Sequence, residues 1–256
     1  MMVRIEESSF MKRPIRKDPI HEIGTSTLTK LEEAISGSRK QEALDLCRYL
    51  PWEGKRLHDL LCDWPYSMMT YIADRFGEEE LYRLLRFNAG LWKPLQDVIP
   101  LITVEEFVQM NLEPMRAHRS GPGEKGDATV TEEPGRFVFS LNPCGSGGRM
   151  RRIGELDKTP PRTEPPYNFG KTKKAYPWSW GKKGVLYYCV HCCVMSEIMP
   201  IEWGGFPLRV IEYPDHPSDP CIAYIYKEPE LIPEKYYTRV GKKKDLKMIR
   251  RVWKRE

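Results

Sequence analysis

Between residues 27 and 109 apolar side chains recur at three- and four-residue spacing, the repeat of one face of an α-helix. Leu28, Leu31 and Ile35 form one such stripe; Ala43, Leu44, Cys47 and Leu50 form a second. Ser38 followed by Gln41 reads as a capping box ahead of that second helix. A longer helix is expected over 55–76, with Leu57, Leu60, Leu61 and Met68 among its apolar positions. Pro65 should kink or split it, because proline removes a backbone donor. Gly77 reads as a stop, 78–87 as a further helix, and Thr103 with Glu106 as a second capping box opening a helix through 115.

After residue 118 the period changes. Residues 119–127 read as a loop, and 128–131 and 136–141 as strands, the second with Phe137, Phe139 and Leu141 in alternation. The stretch 145–184 is rich in glycine, proline, basic and aromatic residues and lacks a clear period; a segment this long is either functional or disordered. Its aromatic side chains favour an ordered wrap. A short strand over 184–188, a helix over 189–202, and an antiparallel pair over 208–213 and 221–226 complete the pattern. The expected fold is α+β, an N-terminal helical layer packed on a C-terminal antiparallel sheet with one inserted cysteine-bearing helix. Four regions follow: an extended arm (1–25), a helical region (26–118), an α+β cysteine-containing region (119–238) and a basic tail (239–256), integrated into one domain.

The chain has 256 residues, 40% of them hydrophobic, enough for a core that needs no covalent staples. No apolar run approaches the ~20 residues of a membrane helix, and the N-terminal segment lacks the apolar stretch of a secretory signal. A cytoplasmic location is therefore expected, where disulfides are disfavoured. Seven cysteines then point to metal or thiol chemistry, and four of them fall at Cys144, Cys189, Cys192 and Cys193. Nine basic side chains against two acidic ones between Arg239 and Glu256 concentrate the positive charge in the tail. Such a tail suits nucleic acid, as does the mixture of Lys171, Lys173 and Lys174 with Tyr176, Trp178 and Trp180. A solvated or subunit-contacting tail and a lid over a pocket explain the same residues, so nucleic acid is disfavoured and a homodimer is allowed.

Two segments carry the candidate chemistry. In Pro143-Cys144-Gly145-Ser146-Gly147-Gly148-Arg149 a strand ends and glycines let backbone N–H groups converge on an anion or thiolate. Cys144 there is either a nucleophile or a metal ligand, and Arg149 could bind a substrate carboxylate through its planar fork. In Cys189-Val190-His191-Cys192-Cys193 the pair Cys189 and Cys192 shares one helical face, so both sulfurs can reach one soft cation, with Cys193 as an alternate ligand. Zinc, or another transition metal, held by Cys144, Cys189 and Cys192 would keep one position open for water, the arrangement of catalytic zinc. His191 or Glu197 would move the proton; if His191 instead closes the tetrahedron, the site is structural. Cys221 stands behind Cys144 as a further ligand. His58 and Asp59 lie on a polar helical face and are candidates for substrate binding.

The order cysteine-bearing helix, glycine turn, strand ending in Glu212, short loop and strand beginning at Cys221 resembles the closing segment of the V4R (4-vinyl-reductase-type) small-molecule-binding domains. It is also similar to L-2-amino-thiazoline-4-carboxylate hydrolase-like proteins. The similarity covers about a fifth of the chain; Glu212 and Cys221 match, while Pro214 follows Tyr213 where those families carry a cysteine. It implies an α+β fold with a ligand pocket. The leading expectation is a metal-dependent enzyme, with zinc, that hydrolyses or cleaves a small molecule. A V4R-like binding or sensor module with a structural metal and a metal-free cysteine nucleophile are the alternatives.

Overall fold

The computed structural model describes residues 3–253; the last charges of the basic tail, at 254–256, lie outside the described residues. The chain divides into two compact units, Met1–Cys62 and Asp63–Glu256. Among the described residues, no helix is long and apolar enough to cross a membrane.

In the first unit, β1 (Arg4–Ser8) and β2 (Arg13–Lys17) form an antiparallel hairpin within the segment whose sequence suggested an extended arm. One arginine anchors it. Arg16 Nε donates to Asp18 at 2.7 Å, Nη1 to the Thr27 hydroxyl at 2.6 Å and Nη2 to the Thr25 carbonyl at 2.5 Å. The hairpin is thereby tied to the start of α1 (Thr27–Ser36), whose first turn is capped by Ser26 Oγ accepting from Thr29 N at 3.0 Å. The expected box at Ser38 and Gln41 does not form. Ser38 lies at φ +55° and donates its N–H to Ile35 O, so it closes α1 instead of opening the next helix.

That next helix, α2 (Lys40–Phe76), is unbroken over 37 residues and passes through both Pro51 and Pro65. Each proline removes one intrahelical donor, and the turns on either side hold the helix without a split. Leu57, Leu60, Leu61 and Met68 are exposed, whereas Tyr66, Met69 and Ala73 are buried. Apolar side chains occur on both faces of this helix, so spacing identifies the helix and not its inner side.

The second unit continues with α3 (Glu78–Ala89), α4 (Lys93–Val98) and α5 (Val104–Ala117). Both halves of the Thr103–Glu106 capping box are present: Glu106 N donates to Thr103 Oγ1 at 3.1 Å and Thr103 N to Glu106 Oε2 at 2.7 Å. Then come β3 (Thr129–Glu133), β4 (Arg136–Leu141), α6 (Gly147–Met150), α7 (Val190–Cys193), a π-helical turn at Val194–Ile198, and α8 (Met199–Gly204). The unit closes with β5 (Val210–Glu212), β6 (Cys221–Tyr226), α9 (Glu234–Thr238) and α10 (Leu246–Trp253). The fold is α+β, and its larger sheet has the order β3-β4-β6-β5 with every pair antiparallel. Phe137, Phe139 and Leu141 turn inward from β4 as their alternation predicts. In register, Leu141 faces Cys221, so the end of β4 and the start of β6 share one edge of the core.

The glycine-rich stretch before α7 is ordered by its aromatic residues. Tyr176 stacks on Trp178 at 4.4 Å, and the Tyr176 and Tyr187 hydroxyls both donate to the Glu78 carboxylate, at 2.6 and 2.9 Å. The tail also packs. Ile249 of α10 is buried and Trp253 meets Phe206 edge-on at 5.7 Å.

Glu197, expected as a proton carrier, is fully buried and closes a core network. Its carboxylate accepts from Arg239 Nη2 at 3.0 Å, Trp180 Nε1 at 2.7 Å and Ile211 N at 2.9 Å. Burial raises its pKa, and Arg239 is the strongest of the groups opposing that rise. Replacing Glu197 with Ala should leave Arg239 facing the core without this partner. The expected loss is about 3 kcal/mol in a denaturant titration; an unchanged midpoint would remove the network from the account.

Candidate active site: a cavity lined by thiols

The turn after β4 is fixed by close contact with the segment after α5. Gly121 N donates to Pro143 O at 2.9 Å and Gly145 N to Ser120 Oγ at 3.1 Å. A Cβ on Gly145 would stand 1.3 Å from the His118 carbonyl oxygen, so a glycine is required there. A Cβ on Gly147 would stand 2.2 Å from Cys189 Sγ, which shows how tightly the turn carrying Cys144 meets the helix start carrying Cys189. The two sequence segments with candidate chemistry therefore do converge.

They converge on a cavity of about 470 Å³. Apolar side chains of α5, the sheet and the π-helical turn supply most of its wall, including Met115, Phe139, Met195 and Ile222. Cys144, Cys189, Cys192, His191 and Cys221 all line it. The π-helical turn shifts the helix register, a feature frequent at functional sites. It lets His191, Cys192 and Met195 face the cavity while Glu197 enters the core.

Arg151 organises the sulfurs. It is buried, and among the described residues its hydrogen bonds go to carbonyl oxygens or to sulfur: Nε to Pro217 O at 3.1 Å, Nη2 to Asp219 O at 2.9 Å, and Nη1 and Nη2 to Cys221 Sγ at 3.5 and 3.4 Å. Burial disfavours its charge, yet its pKa is raised, because Cys221, Cys189 and Cys144 surround it as potential anions. A buried cation needs a counter-charge. Among these thiols Cys144 is the one whose pKa is lowered. The Cys221 thiol beside it does most to hold the Cys144 thiol well below its ordinary range; burial opposes this, and Arg151 and the N–H groups of Gly148 and Ser146 assist. Gly148 N donates to Cys144 Sγ at 2.9 Å. Cys221 is pushed up in turn by Cys144, and Cys189 by burial. One guanidinium thus faces one sulfur whose pKa is lowered and two whose pKa is raised.

His191 belongs to a second thiol. Its Nδ1 bonds the Tyr188 carbonyl, and its Nε2 lies 3.4 Å from Cys192 Sγ. Burial raises the Cys192 pKa, but His191 and then Arg209 outweigh it and leave it lowered. Burial likewise lowers that of His191, and Cys192 reverses it. Each group thus favours the charged form of the other.

Cys193 and Arg149, also expected at the site, are placed differently. Cys193 is buried and its Sγ donates to Pro177 O at 3.7 Å. Arg149 is buried, with Nε donating to Gly145 O at 3.0 Å, so it braces its own turn. Neither lines the cavity. In the first unit, Asp59 accepts from Lys55 Nζ at 2.6 Å and stands 3.4 Å from His58 Nδ1. Side chains that could hold a metal ion do occur among the described residues: His58 Nε2 and Cys62 Sγ lie 4.0 Å apart on α2. Around the cavity, the sulfurs of Cys144, Cys189 and Cys192 do not gather with all three within 4.8 Å of one another.

Sequence reasoning missed Arg151. The signal was the run Arg149-Met150-Arg151-Arg152 directly after the glycine turn; only the fold distinguishes the arginine that faces the thiols. No protein-family model matches the chain, nor does any curated protein or solved structure.

His191→Ala should slow alkylation of Cys192 at neutral pH several-fold, because it removes the cation that lowers the thiol's pKa, and should leave Cys144 little changed. Peptide mass spectrometry after brief iodoacetamide treatment reads both sites; equal slowing at both would contradict the pairing.

Proposed function

We propose that the chain is a cysteine-dependent enzyme that binds a small, mainly apolar molecule in this cavity and attacks it through the Cys144 thiolate. The observation that carries the reading is a buried guanidinium without a carboxylate partner among the described residues, set against thiols that line a ligand-sized space. Thiolate, not thiol, is the nucleophile, and the Gly148 N–H and the Cys221 thiol keep Cys144 in that form. The apolar wall excludes water, which strengthens these interactions. Cys221, as the adjacent proton donor, supplies a proton to the departing group. His191 with Cys192 forms a second polar point on the wall and fits a role in orienting the ligand.

Zinc-dependent hydrolysis is the second reading, favoured by Cys144, Cys189, Cys192 and His191 lining one cavity. Zinc would require three or four ligand atoms about 2.0–2.3 Å from the ion, a closer gathering than these sulfurs have. A V4R-like binding module would share the cavity but turn nothing over.

Stoichiometric iodoacetamide at about pH 6, well under the ordinary thiol pKa near 8.5, should modify Cys144 ahead of the exposed Cys47 and abolish turnover of any small-molecule substrate found by screening. Cys144→Ser should lower kcat by about a thousandfold or more, and chelators should have no effect. Loss of activity with chelation and its return with zinc would favour the metal reading instead.

A further inference from the structure

Cys221 has features that a nucleophile's neighbour does not require. It opens β6 directly across from Leu141, the last residue of β4, so that it stands beside the turn carrying Cys144. Cys144 is the neighbour that does most to push the Cys221 thiol pKa up. The Cys221 sulfur also accepts from both terminal nitrogens of Arg151, at 3.5 and 3.4 Å. The guanidinium therefore touches the sulfur whose pKa is raised. Both sulfurs line the same cavity, so a bound molecule can reach either. A cation held on the second sulfur of a thiol pair stabilises the charge that sulfur acquires only after the first has reacted.

We infer that Cys144 and Cys221 form a redox-active dithiol that reduces a low-molecular-weight disulfide bound in the cavity. This deepens the proposed function and rests on Cys144 being the attacking thiolate. In the first step the Cys144 thiolate attacks one sulfur of the disulfide R–S–S–R. A Cys144–S–S–R bond forms, the R–S–S–R bond breaks, and the departing R–S⁻ takes the proton of Cys221. The new Cys221 thiolate, 3.4 Å from Arg151 Nη2, then attacks Cys144 Sγ. The Cys144–Cys221 bond forms, the mixed disulfide breaks, and the second R–S⁻ leaves and takes a proton from water. Two electrons pass from the thiol pair to the substrate, which departs as two thiols. Cys189 is also close to Arg151. It has neither a hydrogen bond from the guanidinium among the described residues nor a place at the strand edge beside Cys144, which leaves Cys221 as the resolving thiol.

The test uses the full chain, reduced and freed of reductant, with oxidised glutathione as the probe. Peptide mapping of the wild-type protein without further reduction is expected to find Cys144 joined to Cys221, with two molecules of reduced glutathione released per chain. Cys221→Ser should stop at the mixed disulfide, with glutathione retained on Cys144 and one molecule released. Cys144→Ser should release no more than the background. A disulfide between Cys189 and Cys192, or between Cys144 and Cys189, in the wild-type chain would overturn the assignment of Cys221. So would free thiols at both Cys144 and Cys221 after oxidation. Selective alkylation of Cys144 at about pH 6, carried out on the same preparation, separates the two failures. If alkylation persists without the disulfide, the dithiol falls and the nucleophile stands; if both are lost, both fall. The wild-type mapping needs no variant, so a poorly folding substitution cannot blunt the result.

Discussion

A buried positive charge with no carboxylate to meet it among the described residues is the constraint on which the site depends. Arg151 donates to the carbonyls of Pro217 and Asp219 and to the sulfur of Cys221. Carbonyl dipoles position a guanidinium but do not neutralise it. The potential anions that raise its pKa are cysteines on three separate segments: the turn after β4, the start of α7 and the start of β6. The cation therefore does two things at once. It faces cysteines of all three segments, and it assists the Cys221 thiol in lowering the pKa of Cys144 in an otherwise apolar cavity.

The surrounding fold keeps that arrangement rigid. The cysteine-bearing turn has a glycine where any side chain would strike the His118 carbonyl, and another where it would strike the Cys189 sulfur. Glu197 and Arg239 lock the π-helical turn to β5, through Ile211 N and Ile211 O at 2.9 and 2.8 Å. This positions the helix carrying His191 and Cys192. Glu212 completes the clamp by accepting from Arg239 Nη1 at 3.0 Å. Glu197, which the sequence suggested as a proton carrier, is thus bonded into this clamp.

Much of the fold was legible in the sequence. The alternation of Phe137, Phe139 and Leu141 identified β4, the Thr103–Glu106 box identified the start of α5, and the proline-rich loop between β5 and β6 identified an antiparallel pair. The inner face of α2 was not, since that helix carries apolar residues all round and Leu57 and Leu60 are exposed. The hairpin at residues 4–17 was missed because its strands are short, polar and interrupted by Pro14, and depend on Arg16 reaching the start of α1. At the site, the meeting of Cys144 with Cys189 was anticipated from a glycine turn and a helix start. The role of Arg151 was not, because its importance comes from what lies around it in three dimensions. Cys193, one residue from Cys192, turns to the core and bonds Pro177; a helix separates neighbouring residues by about 100°, and spacing did not say which sulfur would face inward.

The central claim is that Cys144 is ionised well below the ordinary thiol range, with the Cys221 thiol as the main cause and Arg151 assisting. Its direct measure is the rate of Cys144 alkylation across pH, followed at the peptide level in the wild-type chain and in Arg151→Gln. The wild-type rate should already be near its plateau at about pH 7, well below the range of an ordinary thiol. In the variant, the rise should move to higher pH by about one unit or more. A wild-type profile that climbs only above about pH 8, or identical profiles for the two proteins, would contradict it.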